Sequence, residues 1–423
     1  MNSIVSLDRL RFLLHRLGEK LWVRPLVVCL LSIALVFAAK IIDGYPIEVS
    51  IPDVTKDSVE TLLSLLSASM LVIATFSVSS MVSAYFAASN SATPRSFKLV
   101  LADDVSQNAL STFVGAFIFS VVALTAVKNA FYDKAGLFVI FVLTMIVFAM
   151  VVVTFVRWVD SIARLGLVGS TIDKVEQATK AALIRRRDKP TLGGLPISNS
   201  TSKGEAVFTE EIGYVQLIDM AKIQCWAEKV KAHVEIAVLP GAFTSAEQPL
   251  AYVDFTSTEL AEVDYSDFFK SFSIGNDRTF EDDPRFGVIA LSEIAARALS
   301  PAVNDPGTAI KVTGTLVRLI SLINEPSTEN SNLVFDRVFV PEIKMSDLFN
   351  DAFTAIARDG ASSVEVCVCL QKGLSSLESL SNESIREQAR YHKKLALKRA
   401  YNALDIEEDI AAVNDAANEN NVE

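Results

Sequence analysis

The densest run of ionisable side chains lies between residues 276 and 305: Asn276, Asp277, Arg278, Glu281, Asp282, Asp283, Arg285, Glu293, Arg297, Asn304 and Asp305. Closely spaced carboxylates can hold a hard divalent cation through oxygen ligands, although this is not the spacing of a twelve-residue calcium loop. The forked guanidinium groups of Arg278 and Arg297 can take up the same acids. Arg297 leads directly into the Ser300-Pro301 break, so an arginine–carboxylate clamp holding that break is the plainer reading. Asp277, Arg278, Asp282, Asp283, Arg297, Asn304 and Asp305 are therefore carried forward as a ligand-binding or structural polar cluster. No metal site is expected.

A second pattern lies in an apolar stretch. Thr75, Ser79, Ser83, Ala87 and Ser91 recur every four residues, with Ser80, Ala84 and Ala88 beside them. Small residues at that spacing let helices approach closely, and their hydroxyls can bond across an interface. The face formed by Thr75, Ser79, Ser80, Ser83, Ala87 and Ser91 is either a pore lining in an oligomer or a packing surface inside one bundle. The second is the plainer expectation.

Other chemistry is thinly supplied. Three histidines, His15, His233 and His392, are scattered, and no serine or cysteine stands near one in sequence. The four cysteines form no CxxC pair, so neither a zinc site nor a disulfide framework is expected. Gly193-Gly194 lacks the Lys-Ser/Thr continuation of a phosphate loop. The expectation is a protein that is not an enzyme and carries no cofactor. Lys plus Arg total 39 against 50 Asp plus Glu, a net charge of −11, which argues against a nucleic-acid partner.

The elements that must position these residues begin with a membrane unit. Hydrophobic residues make up 51% of the 423-residue chain and charged ones 21%, with a mean hydropathy of +0.35. The excess is concentrated in four stretches, at about 21–42, 59–88, 109–127 and 136–156, each near the roughly 20 residues that span a bilayer. The first could be read as a signal peptide, but its basic start is long and Lys40 follows Ala38-Ala39, so a retained anchor is expected. No span carries a central charge, which weighs against proton-coupled transport. Arg9, Arg11, Arg16, Lys20 and Arg24 precede the first span, and Arg157, Arg164, Lys174, Lys180 and Arg185, Arg186 and Arg187 follow the fourth. The intervening loop is acidic, which places both termini in the cytoplasm.

The expected fold is an α-helical membrane bundle of four transmembrane helices plus a cytosolic α+β region. Residues 1–165 form the membrane domain, 166–204 a basic connector and linker, 205–380 the cytosolic domain, and 381–423 a C-terminal helix and solvated acidic tail. In the cytosolic region strands are expected at AVFTEEIGYV, HVEIAVLP, LAYVDF and FDRVFVPEI. Helices are expected at about 216–232, 258–270, 285–299, 308–323, 345–358, 364–380 and 384–404. Asp305 before Pro306 reads as a helix cap followed by a first-turn proline.

Several strings in order resemble one bacterial membrane-protein family. They are Phe76-Ser77, Thr93-Pro94-Arg95, Asp103 with Gln107, Gly213-Tyr214-Val215-Gln216 with Ile218-Asp219, Pro240-Gly241-x-Phe243, Ile274-Gly275-x-x-Arg278-Thr279, and the run from Ala296 to Pro306 followed by Thr308-Ala309. From about residue 23 to 380 the chain is similar to the family known as domain of unknown function 2254. The resemblance implies a bundle of spans with a cytosolic region, and it brings no activity or catalytic residue. Asp282 and Gly307 depart from that family's usual residues. The functional expectation is a homo-oligomeric inner-membrane channel or gated pore for an ion or small solute. The lipid bilayer is its partner, and the cytosolic region serves regulation or assembly. The alternative is a membrane-tethered signalling or scaffold protein that binds a ligand or partner through that region.

Overall fold

The computed structural model describes residues 22–43, 52–91, 93–101, 103–197, 204–256, 263–327 and 334–418. The basic residues before Arg24, and Ser257, lie outside these, as does the side chain of Ser91. The chain forms two compact units that divide between Thr171 and Ile172.

The first unit is helical because its apolar stretches can satisfy their backbone groups only within themselves. It comprises α1 (Val23–Ile42), α2 (Lys56–Ser91), the short α3 (Pro94–Leu101), α4 (Asp104–Lys128) and α5 (Lys134–Leu165). Four of these, all but α3, are long and apolar enough to cross a membrane, and α4 is the most enclosed of them. Val36, Val59, Leu63, Phe119, Ala123 and Ile140 fill one end of the bundle. Leu66, Met70, Ala74, Ala109, Phe113 and Trp158 fill its middle. Gly115 permits α1 to lie close on α4, since a Cβ there would stand 2.4 Å from Val28 Cγ1. Three hydroxyls inside the bundle are returned to their own helix: Ser111 to the Gln107 carbonyl, Ser120 to Ala116 and Thr144 to Ile140, each at 2.7 Å.

Both ends are tied by polar contacts. Asp43 accepts from the Asp133 and Gly136 backbone N–H groups, and Lys40 reaches Asp43 at 3.3 Å and Asp133 at 3.0 Å. At the opposite end Arg24 pairs with Asp104 at 2.6 Å, while Asp103 caps α4 through the Ser106 N–H at 2.9 Å.

The second unit takes in most of α6 (Val168–Asp188), which crosses the division, and continues through β1 (Leu195–Pro196), β2 (Glu205–Phe208) and β3 (Gly213–Ile218). Then come α7 (Met220–Val230), β4 (Ala232–Ile236), β5 (Phe243–Thr244), β6 (Pro249–Phe255), α8 (Ser266–Phe269) and β7 (Phe272–Gly275). A mixed sheet has the order β1-β8-β4-β6-β2, with β8 at Val338–Val340, and a smaller antiparallel sheet has the order β5-β3-β7. Val234 on β4 pairs with Val253 on one side and Val338 on the other, and all three are buried. Trp226 of α7 packs among Tyr265 and Phe268 and donates its indole N–H to the Asp264 carbonyl at 2.9 Å.

The remaining chain is helical: α9 (Pro284–Ala298), α10 (Pro306–Ser321), α11 (Met345–Asp359), α12 (Val364–Glu378), α13 (Glu383–Ala403) and α14 (Glu407–Asn418). Four sequence expectations change. The segment 188–204 is not only linker, since Leu195 and Pro196 add a parallel edge to β8. The helix expected over 216–232 begins at Met220, because Gly213–Ile218 pairs as β3. The acidic tail contains α14 instead of frayed chain. Its acids face outward while Val413, Ala416 and Ala417 are buried. A charge count hides that apolar stripe. In the expected helix over 258–270, residues 257–262 lie outside the described set and only Ser266–Phe269 is helical.

His392 of α13 is 3% exposed and packs between Phe349 and Phe353 of α11 and beside Tyr391. Burial, then the neighbouring Arg399 charge, push its pKa down to about 4. Folding therefore favours the neutral ring. Its stabilising effect is complete above the unfolded value near 6.5 and falls as pH drops from there toward 4, by about 1.4 kcal/mol per unit at the limit. Thermal unfolding of the full chain in detergent across that window will show this loss. His392→Leu will flatten the profile without lowering stability near neutral pH.

Candidate functional site

The polar cluster is built around one carboxylate. Asp283 precedes Pro284, whose fixed φ suits the first helical turn and whose missing N–H costs nothing there. The Asp283 side chain caps α9 through the Phe286 N–H at 3.1 Å. Arg278 closes a bidentate fork on it, Nε to Oδ2 at 2.6 Å and Nη2 to Oδ1 at 2.9 Å. The carboxylate is 2% exposed. Gly241, at φ +94°, completes the enclosure: a Cβ there would lie 2.1 Å from Asp283 Oδ2. The Arg278 guanidinium also stands over the Phe286 ring at 5.5 Å, a cation–π contact.

The arginines of α6 hold the neighbouring loop. Arg186 is buried and donates to the Asp282 carbonyl at 3.1 Å, and Arg185 donates to the Glu281 carbonyl. Burial lowers the proton affinity of Arg186, opposed by the charges of Asp282 and Asp283. Arg285 pairs with Asp347 at 2.9 Å and Asp351 at 2.7 Å. Burial raises the Asp351 pKa against the pull of Arg285. Among the described residues no three carboxylate, imidazole or thiol groups converge as metal ligands.

The other half of the expected cluster is elsewhere. Asp283 and Arg297 stand at opposite ends of the 15-residue α9, roughly 20 Å apart. Arg297 is exposed in the last turn of α9, and Asn304 and Asp305 belong to the exposed turn that follows it. Asn304 takes a left-handed φ of 50° there. Asp305 caps α10 as expected, accepting from Thr308 Oγ1 at 2.6 Å and Thr308 N at 3.1 Å. The Thr308 hydroxyl, then its N–H, hold the Asp305 pKa below the ordinary value. An arginine clamp closes on Asp283 at the start of α9, and the Asp305 cap opens the helix after the break. Asp277 is exposed, and its carbonyl accepts from Gln216 Nε2 at 2.7 Å. Ser300 donates to its own Arg297 carbonyl at 2.7 Å, and His233 packs edge-on against Phe339.

In the membrane unit the small-residue face lies on the outside. Thr75, Ser79, Ser83 and Ala87 are exposed and Ser80 is half-buried, whereas Leu63, Leu66, Met70, Ala74, Ser77 and Met81 face inward. Thr75, Ser79 and Ser83 are therefore not packed within the bundle, whereas Ala84 and Ala88 beside them pack with Val100 and Leu165. Thr75 and Ser83 return their hydroxyl protons to the Leu71, Val72 and Ser79 carbonyls. Sequence reasoning missed Gly241 and Arg186. Both touch the Asp282–Asp283 pair from distant segments, and only the Pro240-Gly241 turn signal and the 185–187 basic run pointed to them.

The profile of a predicted membrane protein family, DUF2254, matches residues 18–376. The chain belongs to the DUF2254 family. Among curated relatives, an uncharacterized protein of Mycobacterium tuberculosis and one of Mycobacterium bovis are each 33% identical to it over 115 residues, 26% of this chain. The match spans 22% of each relative's own length. No solved structure matches. Within this DUF2254 chain, the strings that carried the resemblance divide between buried positions, such as Ser77, Gln107 and Asp219, and the exposed turn at 301–305.

The two helix caps separate by burial. Asp283→Ala leaves Arg278 facing an apolar enclosure and will cost about 3–5 kcal/mol. Asp305→Ala, at an exposed cap, will cost about 1 kcal/mol. Chemical denaturation of the purified full chain, followed by tryptophan fluorescence, will order the two.

Proposed function

We propose that this chain is a multi-pass protein of the bacterial inner membrane that assembles with copies of itself to conduct or gate an ion or small solute, without catalysis or a cofactor of its own. Its basic flanks lie in the cytoplasm, and the α+β unit serves assembly or regulation. The carrying observation is the outward position of Thr75, Ser79, Ser83 and Ala87 on α2. Lipid tails gain nothing from hydroxyls, whereas a second helix or a water-filled path does. Self-bonded hydroxyls keep the stripe tolerable in lipid, and their oxygens retain a lone pair for water or a permeating ion. Large apolar side chains beside it, Val72, Phe76, Val82 and Phe86, are also exposed and suit hydrocarbon.

Purified protein in planar bilayers is expected to give discrete currents, and Ser83→Leu is expected to reduce them severalfold or abolish them. Silence across ions and voltages, with Ser83→Leu harmless in cells, overturns the reading. The exposed turn at 301–305 favours a second reading, a membrane-tethered scaffold that docks a ligand or partner there. Under that reading Asp305→Ala abolishes function in cells while currents and membrane assembly persist.

A further inference from the structure

Ser111, Ser120 and Thr144, buried in the membrane unit, each donate to the carbonyl four residues back on their own helix. One layer of the bundle breaks that habit. Ser77 on α2 and Ser106 on α4 are both 0% exposed, and their hydroxyls make no hydrogen bond among the described residues. Neither does the indole N–H of Trp158 on α5, a residue 1% exposed, nor the buried hydroxyl of Tyr85 on α2. The packing brings these groups to one depth. Val59 and Leu63 share a cluster with Phe119 and Ala123, and Met70 and Ala74 share the next with Ala109 and Phe113, so α2 and α4 run antiparallel. Ser77 lies one turn beyond Ala74 and Ser106 one turn before Ala109, which sets the two serines on facing stripes in the following layer. Trp158 packs with the second cluster, and its ring meets that of Phe76, beside Ser77, at 6.1 Å. Asp103 accepts from the Ser106 N–H at 2.9 Å, and its charge acts on the Tyr85 hydroxyl. Beyond this layer Ala88, Val100 and Leu165 close the bundle again with apolar side chains.

A buried donor left unanswered costs free energy that packing does not return. The donor set selects what answers it. An indole N–H only donates, so a metal cation gains nothing from it. An anion would stand against the Asp103 carboxylate. A small neutral molecule that both accepts and donates suits serine, tyrosine and indole alike. We infer that this layer is a binding site for water, and that bound water joins α2, α4 and α5 in a hydrogen-bonded cluster reaching from Trp158 toward Asp103. A water oxygen takes the Trp158 proton, and water hydrogens go to the serine oxygens, whose own protons carry the cluster on. The interior of the bundle is then wet at a depth where its neighbouring layers are apolar. Its surface for small neutral polar molecules lies on the inward face of α2, opposite the stripe of Thr75, Ser79 and Ser83. The inference rests on the bundle alone, and on neither assembly nor conduction.

The test uses the full chain with isotope-labelled tryptophan in lipid nanodiscs, read by NMR of the indole N–H groups. Trp158→Phe identifies the Trp158 resonance by its loss. That proton is expected to show magnetisation transfer from water, although its ring is packed among Phe76, Phe113 and Phe155. Ser77→Ala combined with Ser106→Ala is expected to weaken the transfer severalfold and to lower the thermal unfolding midpoint. Unchanged Trp22 and Trp226 resonances show that the variant has folded. A Trp158 proton without water contact, still protected after hours in heavy water, overturns the inference. So does an unfolding midpoint raised by Ser77→Ala, the result of deleting an unanswered hydroxyl from a dry layer. Ser83→Leu, which tests conduction, is expected to leave the Trp158 resonance unchanged, so the two readings fail separately.

Discussion

A carboxylate removed from water is tolerable only when its charge and both oxygens are answered, and Asp283 is the place where this chain meets that demand. Its oxygens take the Arg278 fork and the Phe286 N–H in the first turn of α9. Two stretches distant in sequence meet there: the Pro240-Gly241 turn, and the loop from Arg278 to Asp283 with the helix that continues it. Gly241 has no side chain because the carboxylate occupies that space. One turn into α9, Gly287 allows Thr179 of α6 to approach its backbone. The direction of α9, and so the seating of α10 and α11 against it, follows from a single satisfied charge.

In hydrocarbon the same accounting gives a different result. Among its described residues the bundle shows no buried ion pair at its centre, and Ser111, Ser120 and Thr144 turn their hydroxyls back on their own helices. Ion pairs join its helices at the two ends, around Asp43 and around Asp104. What distinguishes α2 is an outward face of small polar residues opposite an inward face of leucine, methionine and alanine. A helix with two unlike faces, one already used by its own bundle, has a second surface to offer.

Much of this was legible in the residues. The four spans follow from length and apolar content, and the cap at Asp305 from the proline after it, whereas the equivalent cap at Asp283 was passed over inside the polar run. The face of α2 was legible as a pattern but not as a direction. Periodicity gives the angle between residues and is silent about which neighbour lies at that angle. The polar run at 276–305 was misleading for a related reason. Proximity in sequence stood in for proximity in space, and the rigid 15-residue α9 separates its two halves. The edge strand Leu195–Pro196 is too short to carry a period, and it exists because β8 offers an unpaired edge. In α14, the acids on the outer face drew the eye from the apolar residues that decide its placement.

That last helix has a chemical consequence. Val413 and Ile410 pack with Ala400 and Leu404 over Cys367. The thiol lies against the Gly360 and Ala361 carbonyls, and burial pushes its pKa up to about 11. A thiol held in that state is a poor nucleophile. A short peripheral helix is the kind of element that detaches alone, far below the cost of global unfolding. Cys367 is thus a clock set beneath a lid: its alkylation rate counts how often α14 lifts while the sheet and the other helices stay folded.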